Sequence, residues 1–241
     1  MIRALGRATA GKAGPTKIIS YNLREHAARD ELERMADAHD MDVFALQECD
    51  HTDMPNRIGH LELIEQTRTN RLGLALYTRA DRFQVLDKKV FALRKSMHDR
   101  VLKPANERLL AAHLLDTKTG REVLVGDFHA APLSATNSLR RKQIAAAHEG
   151  MIALAADVPA VMVGDFNYPW FASSLSRRLG DQGFQVSHSD LPTYVRKRFR
   201  GHFDFAISEG MHIETVKTLQ QAGSDHLPVL VEARVKAPVP A

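Results

Sequence analysis

The stretch Val161-Met-Val-Gly-Asp-Phe-Asn167 is an apolar run that ends in a turn carrying an acid and an amide. A helix is predicted over 138–156, and Pro159 cannot continue it. The apolar residues 160–163 that follow are therefore predicted to form a buried strand. Earlier in the chain, Val123-Leu-Val-Gly-Asp-Phe-His129 has the same form. Nothing else around the two copies matches, so they are not an internal repeat. We expect two neighbouring strands whose polar ends lie at one active site.

The N-terminal part of the sequence predicts a β-α-β unit. A strand pattern over 17–22 is followed by apolar residues at helical spacing over 25–39, and then by a second strand over 42–47. If these strands are parallel neighbours, their carboxyl ends share one edge of the sheet, where open α/β sheets place ligands. Asn22 and Glu48 are at those ends, so we expect both side chains at the site.

The remaining pattern sets the fold class. Strands are predicted at 72–78, 90–93, 108–115, 122–128, 202–207 and 228–235, and a helix with an apolar stripe at 138–156. Strands outnumber helices, and many follow one another without a helix between them. This mixture predicts an α/β (α+β) protein with two mostly antiparallel sheets packed together and flanked by helices.

Composition limits the protein class. The 241 residues are 44% apolar and 26% charged, which is enough to bury a core. The formal charge of +4 excludes a polybasic binder but allows local basic patches. No apolar run approaches the length that spans a bilayer. Because Cys49 is the single cysteine, no internal disulfide can form, and the cytoplasm is the simplest expectation.

Both ends of the chain are predicted to be tails outside the folded domain. Residues 1–16 are basic and contain no continuous apolar segment, so they do not resemble a secretory signal. Residues 236–241 also read as a tail, and no linker separates the two ends. We therefore expect one domain over 17–235.

An ordered series of polar residues stands at the ends of the predicted strands. Taken alone, each of these residues would usually have a structural role, either in capping a turn or as a buried histidine. The series consists of Ser20-Tyr-Asn22, Gln47-Glu48, His129-Ala-Ala-Pro132, Gly164-Asp-Phe-Asn167, Asp204 and Ser224-Asp-His226.

This series resembles the endonuclease/exonuclease/phosphatase superfamily, and the resemblance runs over nearly the whole chain. The superfamily includes deoxyribonuclease I-like and exonuclease III-like nucleases as well as phosphatases. The resemblance implies a four-layer α-β-β-α sandwich. It also implies Mg²⁺- or Mn²⁺-dependent cleavage of a phosphodiester or phosphomonoester.

The same residues suit a hard divalent cation. Mg²⁺ prefers oxygen ligands and needs only one or two protein carboxylates beside substrate phosphate and water. Glu48 is the best candidate ligand, Asn22 is a neutral oxygen partner, and Asp225 would complete the site from across the cleft. No cysteine and histidine spacing in the chain indicates zinc.

The remaining polar residues are candidates for catalysis. The family pattern makes Asp204 the partner that orients His226. His226 would then either take a proton from the attacking water or stabilise charge as an imidazolium. Asp165 is the alternative acceptor of that proton, and the sequence does not choose between them. Asn167 and His129 would donate to phosphate oxygens.

One feature departs from the deoxyribonuclease I branch. There, the histidine of the His-Ala-Ala-Pro motif pairs with a glutamate on an earlier strand. The best counterpart of that strand here, 72–76, has no acid. His129 is therefore expected to lack this partner, unless Glu107 substitutes for it.

Basic and aromatic residues near the motifs bear on the substrate. Arg24 follows Asn22, Trp170 follows the Gly-Asp-Phe-Asn motif, and Arg198 and Arg200 stand in a basic segment before Asp204. These residues would contact phosphates or stack on a base. They are equally consistent with solvated charge and a packing anchor.

The leading hypothesis is a metal-dependent nuclease that acts on DNA, or alternatively on RNA, so that nucleic acid is the expected partner. The alternative is a phosphatase or phosphodiesterase acting on phosphoinositide, sphingomyelin-type or small-molecule phosphate esters. A catalytically silent binding protein is disfavoured, because a binding role does not need the complete polar series.

Overall fold

The computed structural model describes residues 14–101, 105–170, 172–196, 199–220 and 223–237. The parts of the two predicted tails at 1–13 and 238–241 lie outside these residues. In chain order the elements are β1 (Thr16–Asn22), a 3-10 helix (Arg29–Glu31), α1 (Leu32–Ala38), β2 (Val43–Cys49), β3 (Arg57–Ile58), β4 (Leu61–Gln66), β5 (Gly73–Arg79), β6 (Phe83–Ala92), α2 (Met97–Val101), β7 (Glu107–Asp116), β8 (Arg121–His129), α3 (Asn137–Leu154), β9 (Ala160–Asp165), α4 (Ala172–Gly180), β10 (Gln185–His188), β11 (Tyr194–Arg196), β12 (Phe199–Gly201), β13 (Asp204–Glu209), β14 (Met211–Thr218) and β15 (Val229–Val235).

Most strands belong to two mixed sheets. The first has seven strands in the order β14-β15-β1-β2-β5-β4-β3, and the second has six in the order β10-β13-β9-β8-β7-β6. The strands β11 and β12 form a separate hairpin. Most pairings are antiparallel, as predicted, but β1 pairs with β2 in parallel and β8 pairs with β9 in parallel. The predicted pairs of neighbouring strands are thus confirmed in both sheets.

The sheets pack face to face because their strands are apolar on both sides. In β1 and β2, Ile18 and Val43 face the other sheet, while Ile19 and Phe44 face outward, as the two-residue period of a strand requires. The outer face of the first sheet is covered by α1, and that of the second by α3 and α4. Three apolar layers therefore separate four structural layers, which confirms the expected sandwich.

The predicted helix over 25–39 is only partly correct. Residues up to Ala28 form turns, and the α-helix begins at Leu32. Arg24, Glu25 and His26 have φ angles of 50°, 51° and 70°, which a right-handed helix cannot contain. The sequence analysis also missed several elements, which are β3, β4, α2, α4, β10, β11, β12 and β14.

In the described part of the chain, no helix combines the length and the apolar character needed to cross a membrane.

Candidate active site

The two sheets present their polar strand ends to each other at one edge of the sandwich. Asn22 ends β1 in the first sheet, and Asp165 ends β9 in the second. The Asn22 Nδ2 atom donates to Asp165 Oδ2 at 3.0 Å and to Glu48 Oε1 at 3.3 Å. One buried amide thus connects two carboxylates that are far apart in sequence.

Glu48 reaches this position because β2 is irregular there. The pairing of β2 with β5 shifts register between Gln47 and Cys49, and Glu48 itself has a φ of 59°. Such a bulge redirects a side chain relative to the regular strand. Its carboxylate is turned toward the cleft, with the side chain 17% exposed.

The loop after β1 is held in a strained conformation by the same groups. The backbone N–H of Glu25 donates to Glu48 Oε2 at 2.7 Å, and the N–H of Arg24 donates to Asn22 Oδ1 at 2.9 Å. Consecutive non-glycine residues with positive φ cost free energy and persist only where the surroundings fix them. The loop conformation is therefore coupled to the positions of Glu48 and Asn22.

His226 is paired with Asp204, as the family pattern implied. The distance from His226 Nδ1 to Asp204 Oδ2 is 2.8 Å, and both side chains are buried. Ser224 Oγ accepts from the His226 N–H and donates to the Asn22 carbonyl, which links this pair to β1. Burial alone would lower the pKa of His226, but the charges of Asp204 and Asp165 outweigh it and raise that pKa to about 10. The imidazole is therefore protonated at neutral pH.

Asp165 lies at the centre of the cluster. Its Oδ2 atom is 3.8 Å from His226 Nε2 and 3.7 Å from His129 Nε2, and its Oδ1 atom accepts from the Asn167 N–H at 2.9 Å. Asn167, with a φ of 48°, turns the chain back over the carboxylate. Burial raises the pKa of Asp165. This carboxylate is thus poised to exchange a proton more readily than an exposed one.

His129 lies beside acids that the sequence analysis did not pair with it. Its Nε2 atom is 3.8 Å from Glu48 Oε1, in addition to its approach to Asp165. Glu107, considered as a substitute partner, instead accepts from the Thr69 N–H at 3.1 Å. Burial and the neighbouring positive charge of Arg108 lower the pKa of His129 to about 3, so its imidazole is neutral.

A buried ion pair next to His129 was missed by the sequence analysis. Arg108 Nη2 donates to both carboxylate oxygens of Asp99, at 2.8 and 2.7 Å, and Arg108 Nη1 donates to the His129 carbonyl. The signal that could have found it is a charged residue at the start of the apolar strand pattern over 108–115. The pair fixes the chain around His129 and forms part of the cleft wall.

These groups line an open cleft of about 950 Å³. Arg24 and Arg71 contribute positive charge to its wall, where Glu25 and Glu48 contribute negative charge, and the charge of Arg108 is neutralised by Asp99. Asp225 also lines the cleft, with its carboxylate 4.0 Å from Arg24 Nε. The structure therefore brings together eight predicted residues of the polar series and Arg24, namely Asn22, Arg24, Glu48, His129, Asp165, Asn167, Asp225 and His226 in the cleft wall, with Asp204 directly behind His226.

The other candidates for substrate contact lie elsewhere. Trp170 is 47% exposed and Arg200 is exposed on β12, and neither belongs to the described lining of the cleft. Arg198 is outside the described residues. Contact of these three residues with substrate stays a prediction.

The donor atoms fit a hard divalent cation. The carboxylates of Glu48 and Asp165 converge on one amide, and carboxylate oxygen atoms are the ligands that Mg²⁺ and Mn²⁺ prefer. Asp165, Asp204 and His226 also offer ligand atoms within 4.8 Å of one another. In that second group, however, the His226–Asp204 hydrogen bond already uses one nitrogen and one oxygen. Glu48 with Asn22 is the better fit.

Comparison with known proteins agrees with this geometry. A family model described as the endonuclease/exonuclease/phosphatase family matches residues 19–226. No curated protein sequence matches the chain.

Solved structures share the fold at low sequence identity. An endonuclease/exonuclease/phosphatase from Bacteroides vulgatus is 16% identical, with 93% of this chain and 100% of that chain covered and a TM-score of 0.77. A mannosyl-6-phosphatase from Bacteroides thetaiotaomicron is 21% identical, with coverages of 90% and 99% and a TM-score of 0.72. The TDP2 protein of D. rerio, complexed with single-strand DNA product, is 14% identical, with coverages of 90% and 98% and a TM-score of 0.69.

Proposed function

Because the chain belongs to the endonuclease/exonuclease/phosphatase family, whose members are hydrolases acting on phosphate esters, we propose that it is a divalent-cation-dependent nuclease that hydrolyses phosphodiester bonds of DNA. RNA is the alternative nucleic acid. One observation carries the proposal. His226 Nε2 and the carboxylate of Asp165 face each other at 3.8 Å, in a cleft whose wall also contains Glu48 and three arginines.

Glu48 and Asn22 would hold Mg²⁺ or Mn²⁺, with a contribution from Asp225, which also lines the cleft. When bound, the cation supplies positive charge that polarises the phosphoryl group and stabilises the leaving oxygen. The amide of Asn22 keeps Glu48 and Asp165 in position before any substrate arrives.

The protonation states assign different roles to Asp165 and His226. A histidine that already carries a proton cannot accept one from water, whereas the Asp165 carboxylate can. We therefore assign proton abstraction from the attacking water to Asp165. His226, held in one orientation by Asp204, would stabilise the negative charge that develops on the phosphoryl oxygens.

Asn167 and His129 would bind the phosphate from either side of this pair. Both side chains line the cleft, where His129 is the last residue of β8 and Asn167 lies two residues after the end of β9. Hydrogen-bond donors fixed by backbone pairing need no reorganisation when charge develops, which is the main source of electrostatic catalysis.

Two observations favour a polynucleotide substrate. The cleft is open, and Arg24 and Arg71 in its wall are exposed enough to contact a phosphate backbone. The similar TDP2 structure contains a single-strand DNA product.

A phosphomonoester or other small phosphate ester is the second candidate substrate. The specific observation in its favour is the structural similarity to a mannosyl-6-phosphatase. The same Asp165, His226 and Glu48 would then act on a terminal phosphate. Phosphoinositides and sphingomyelin-type esters belong to this alternative.

The test is a substrate panel with Mg²⁺, with Mn²⁺ and with a chelator. Plasmid, single-stranded DNA, RNA, mannose 6-phosphate and a phosphoinositide are incubated with wild type, His226→Ala and Glu48→Ala. His113→Ala is the matched control, because His113 also contacts a carboxylate, that of Glu122 at 2.7 Å, but lies outside the cleft wall.

We expect cation-dependent cutting of nucleic acid by wild type and His113→Ala, and a loss of at least about 10²-fold in the two site variants. Full activity in chelator, or in both site variants, would contradict the proposed mechanism. Hydrolysis of small phosphate esters without nucleic-acid cleavage would replace the nuclease by the alternative.

A further inference from the structure

A second cavity of about 330 Å³ lies beside the cleft. Its walls come from the segment that leads into α2 and from the loop and first turns of α3. Four cations line it, and they are Arg94, Lys95, Arg100 and Lys142. The described lining contains no acidic side chain. We call this cavity the basic pocket.

The positive charge of the basic pocket is not neutralised within the described part of the chain. None of its four cations has a carboxylate within 4 Å there, although many other arginines of the protein do form such pairs. Like charges gathered around one cavity repel each other unless an anion occupies it. The arrangement therefore suits an anionic group.

Hydroxyl groups complete the lining. Ser96, Ser134, Thr136 and Ser138 contribute them. Thr136 caps α3 by accepting from the Leu139 N–H at 3.2 Å, so the positive end of an 18-residue helix adjoins the same space. Cationic side chains together with hydroxyl donors are a combination that binds phosphate.

The basic pocket has a fixed position relative to the reacting groups. Ser134 lines both the basic pocket and the cleft. In addition, Asp99 accepts from the Ser96 N–H and Oγ while it binds Arg108, which in turn donates to the His129 carbonyl. Asp99 is neutralised by this pairing and is 4% exposed, so it does not cancel the charge of the basic pocket.

We propose that the basic pocket binds a second phosphate group of the substrate, next along the strand from the phosphate that reacts at Asp165 and His226. The inference rests on the proposed nuclease function and specifies its substrate as a chain with at least two phosphates. A polynucleotide offers a charge at every nucleotide, whereas a simple monoester offers no group for this pocket.

The experiment compares two substrates in two double variants. The pocket variant is Arg94→Ala with Lys142→Ala. The control variant is Lys118→Ala with Arg121→Ala, which removes the same charge at the β7–β8 turn, at the opposite end of β8 from His129. The substrates are a single-stranded oligonucleotide and bis(p-nitrophenyl) phosphate, a diester with one phosphate.

We expect the pocket variant to lose about tenfold or more in kcat/KM on the oligonucleotide, because hydrogen bonds to a charged group are lost, and to keep wild-type kcat/KM on the small diester. The salt dependence of oligonucleotide binding in chelator should also become shallower by about one phosphate contact. The control variant should match wild type on both substrates.

Three outcomes would overturn the inference. Equal losses on both substrates would show damage to the catalytic cluster, and unchanged oligonucleotide kinetics with wild-type salt dependence would leave the basic pocket without a phosphate. In both cases wild-type cleavage of the oligonucleotide would leave the proposed nuclease function intact. Wild type that hydrolyses only phosphomonoesters would instead overturn that function, and the inference with it.

Discussion

At the scale of single residues, the site is governed by how burial and charge act on a few ionisable groups. His226 and His129 are both buried histidines at the same edge of the sandwich, but one is protonated and the other is neutral. The carboxylates of Asp204 and Asp165 stabilise the cation of His226, while Arg108 disfavours a cation at His129. The sequence named both histidines, but it could not show this difference, since the charges that set it come from distant segments.

Asp204→Asn tests the role of the orienting carboxylate. We expect the pKa of His226 to fall, because a charge that stabilises its protonated form is removed. We also expect kcat to fall by about 10²- to 10³-fold. Titration of the His226 ring by NMR in metal-free protein measures the first effect, and steady-state kinetics the second.

Glu209→Gln is the matched control for that change, because Glu209 lies 3.2 Å from the buried His148, away from the cleft. It should leave both the titration of His226 and kcat unchanged. A His226 titration that is the same in Asp204→Asn as in wild type would refute the assignment.

Asp127 leads to a prediction of how the free energy of unfolding depends on pH. It is fully buried under the site, and burial raises its pKa well above the ordinary value. Its Oδ1 accepts from Gln47 Nε2 at 2.7 Å, while Asp127 Oδ2 and Gln47 Oε1 have no hydrogen-bond partner among the described residues. An acid with a raised pKa binds more protons when folded, so it makes the native state less stable as pH rises above about 4.

Asp127→Asn should therefore raise the free energy of unfolding at pH 8, by about 1 kcal/mol or more, since the amide carries no charge and can donate where Oδ2 is unpaired. The advantage should shrink as pH falls toward about 4. Urea unfolding at several pH values measures it. A variant less stable than wild type at pH 8 would contradict a raised pKa for Asp127.

At the scale of secondary structure, the strands that carry the site residues were predictable and the connection after β1 was not. Both parallel pairs follow from apolar strand patterns that end in polar residues. The apolar spacing over 25–39 also favours a helix, but Glu25 and His26 take positive φ angles while the Glu25 N–H donates to Glu48. A partner 23 residues away thus overrides a local preference, and no local pattern contains that information.

Gly164 tests the close contact between β8 and β9. It has a φ of 140°, and a Cβ atom there would lie 1.9 Å from the Phe128 carbonyl oxygen. Gly164→Ala should therefore lower the free energy of unfolding by about 3 kcal/mol or more, because both strain and a backbone clash are introduced. Thermal or urea denaturation measures this change.

Gly180→Ala is the control for the glycine substitution. A Cβ at Gly180, the last residue of α4, meets nothing within 4 Å, so the change should be within about 1 kcal/mol of neutral. Equal stabilities of the two variants would show that β8 and β9 are not paired as described.

At the scale of the whole molecule, the active site forms where the two sheets of the sandwich meet. The first sheet contributes Asn22 and Glu48, and the second contributes His129 and Asp165. Family resemblance made these residues predictable as a set. Arg71 was not predictable, because the surface that an arginine in a loop faces is decided only by folding.

Removal of the divalent cation should change global stability. A cation that binds only the folded state stabilises it, by about 2.7 kcal/mol at one hundred times its Kd. We expect Mg²⁺ to raise the Tm of wild type by several degrees relative to chelator, and to raise that of Glu48→Gln less. Differential scanning calorimetry is the measurement. A wild-type Tm that does not respond to Mg²⁺ or Mn²⁺ would contradict a cation site at Glu48.

The pairing of β1 with β15 has a consequence for synthesis of the protein. β1 ends in Asn22 and pairs with β15, the strand over 229–235. The Ser224 hydroxyl donates a hydrogen bond to the Asn22 carbonyl. A ribosome must therefore translate residues 229–235 before this edge of the sheet can close. A nascent chain that has not yet reached His226 carries Glu48, His129 and Asp165 alone, so the complete site forms only after more than 200 further residues have followed β1.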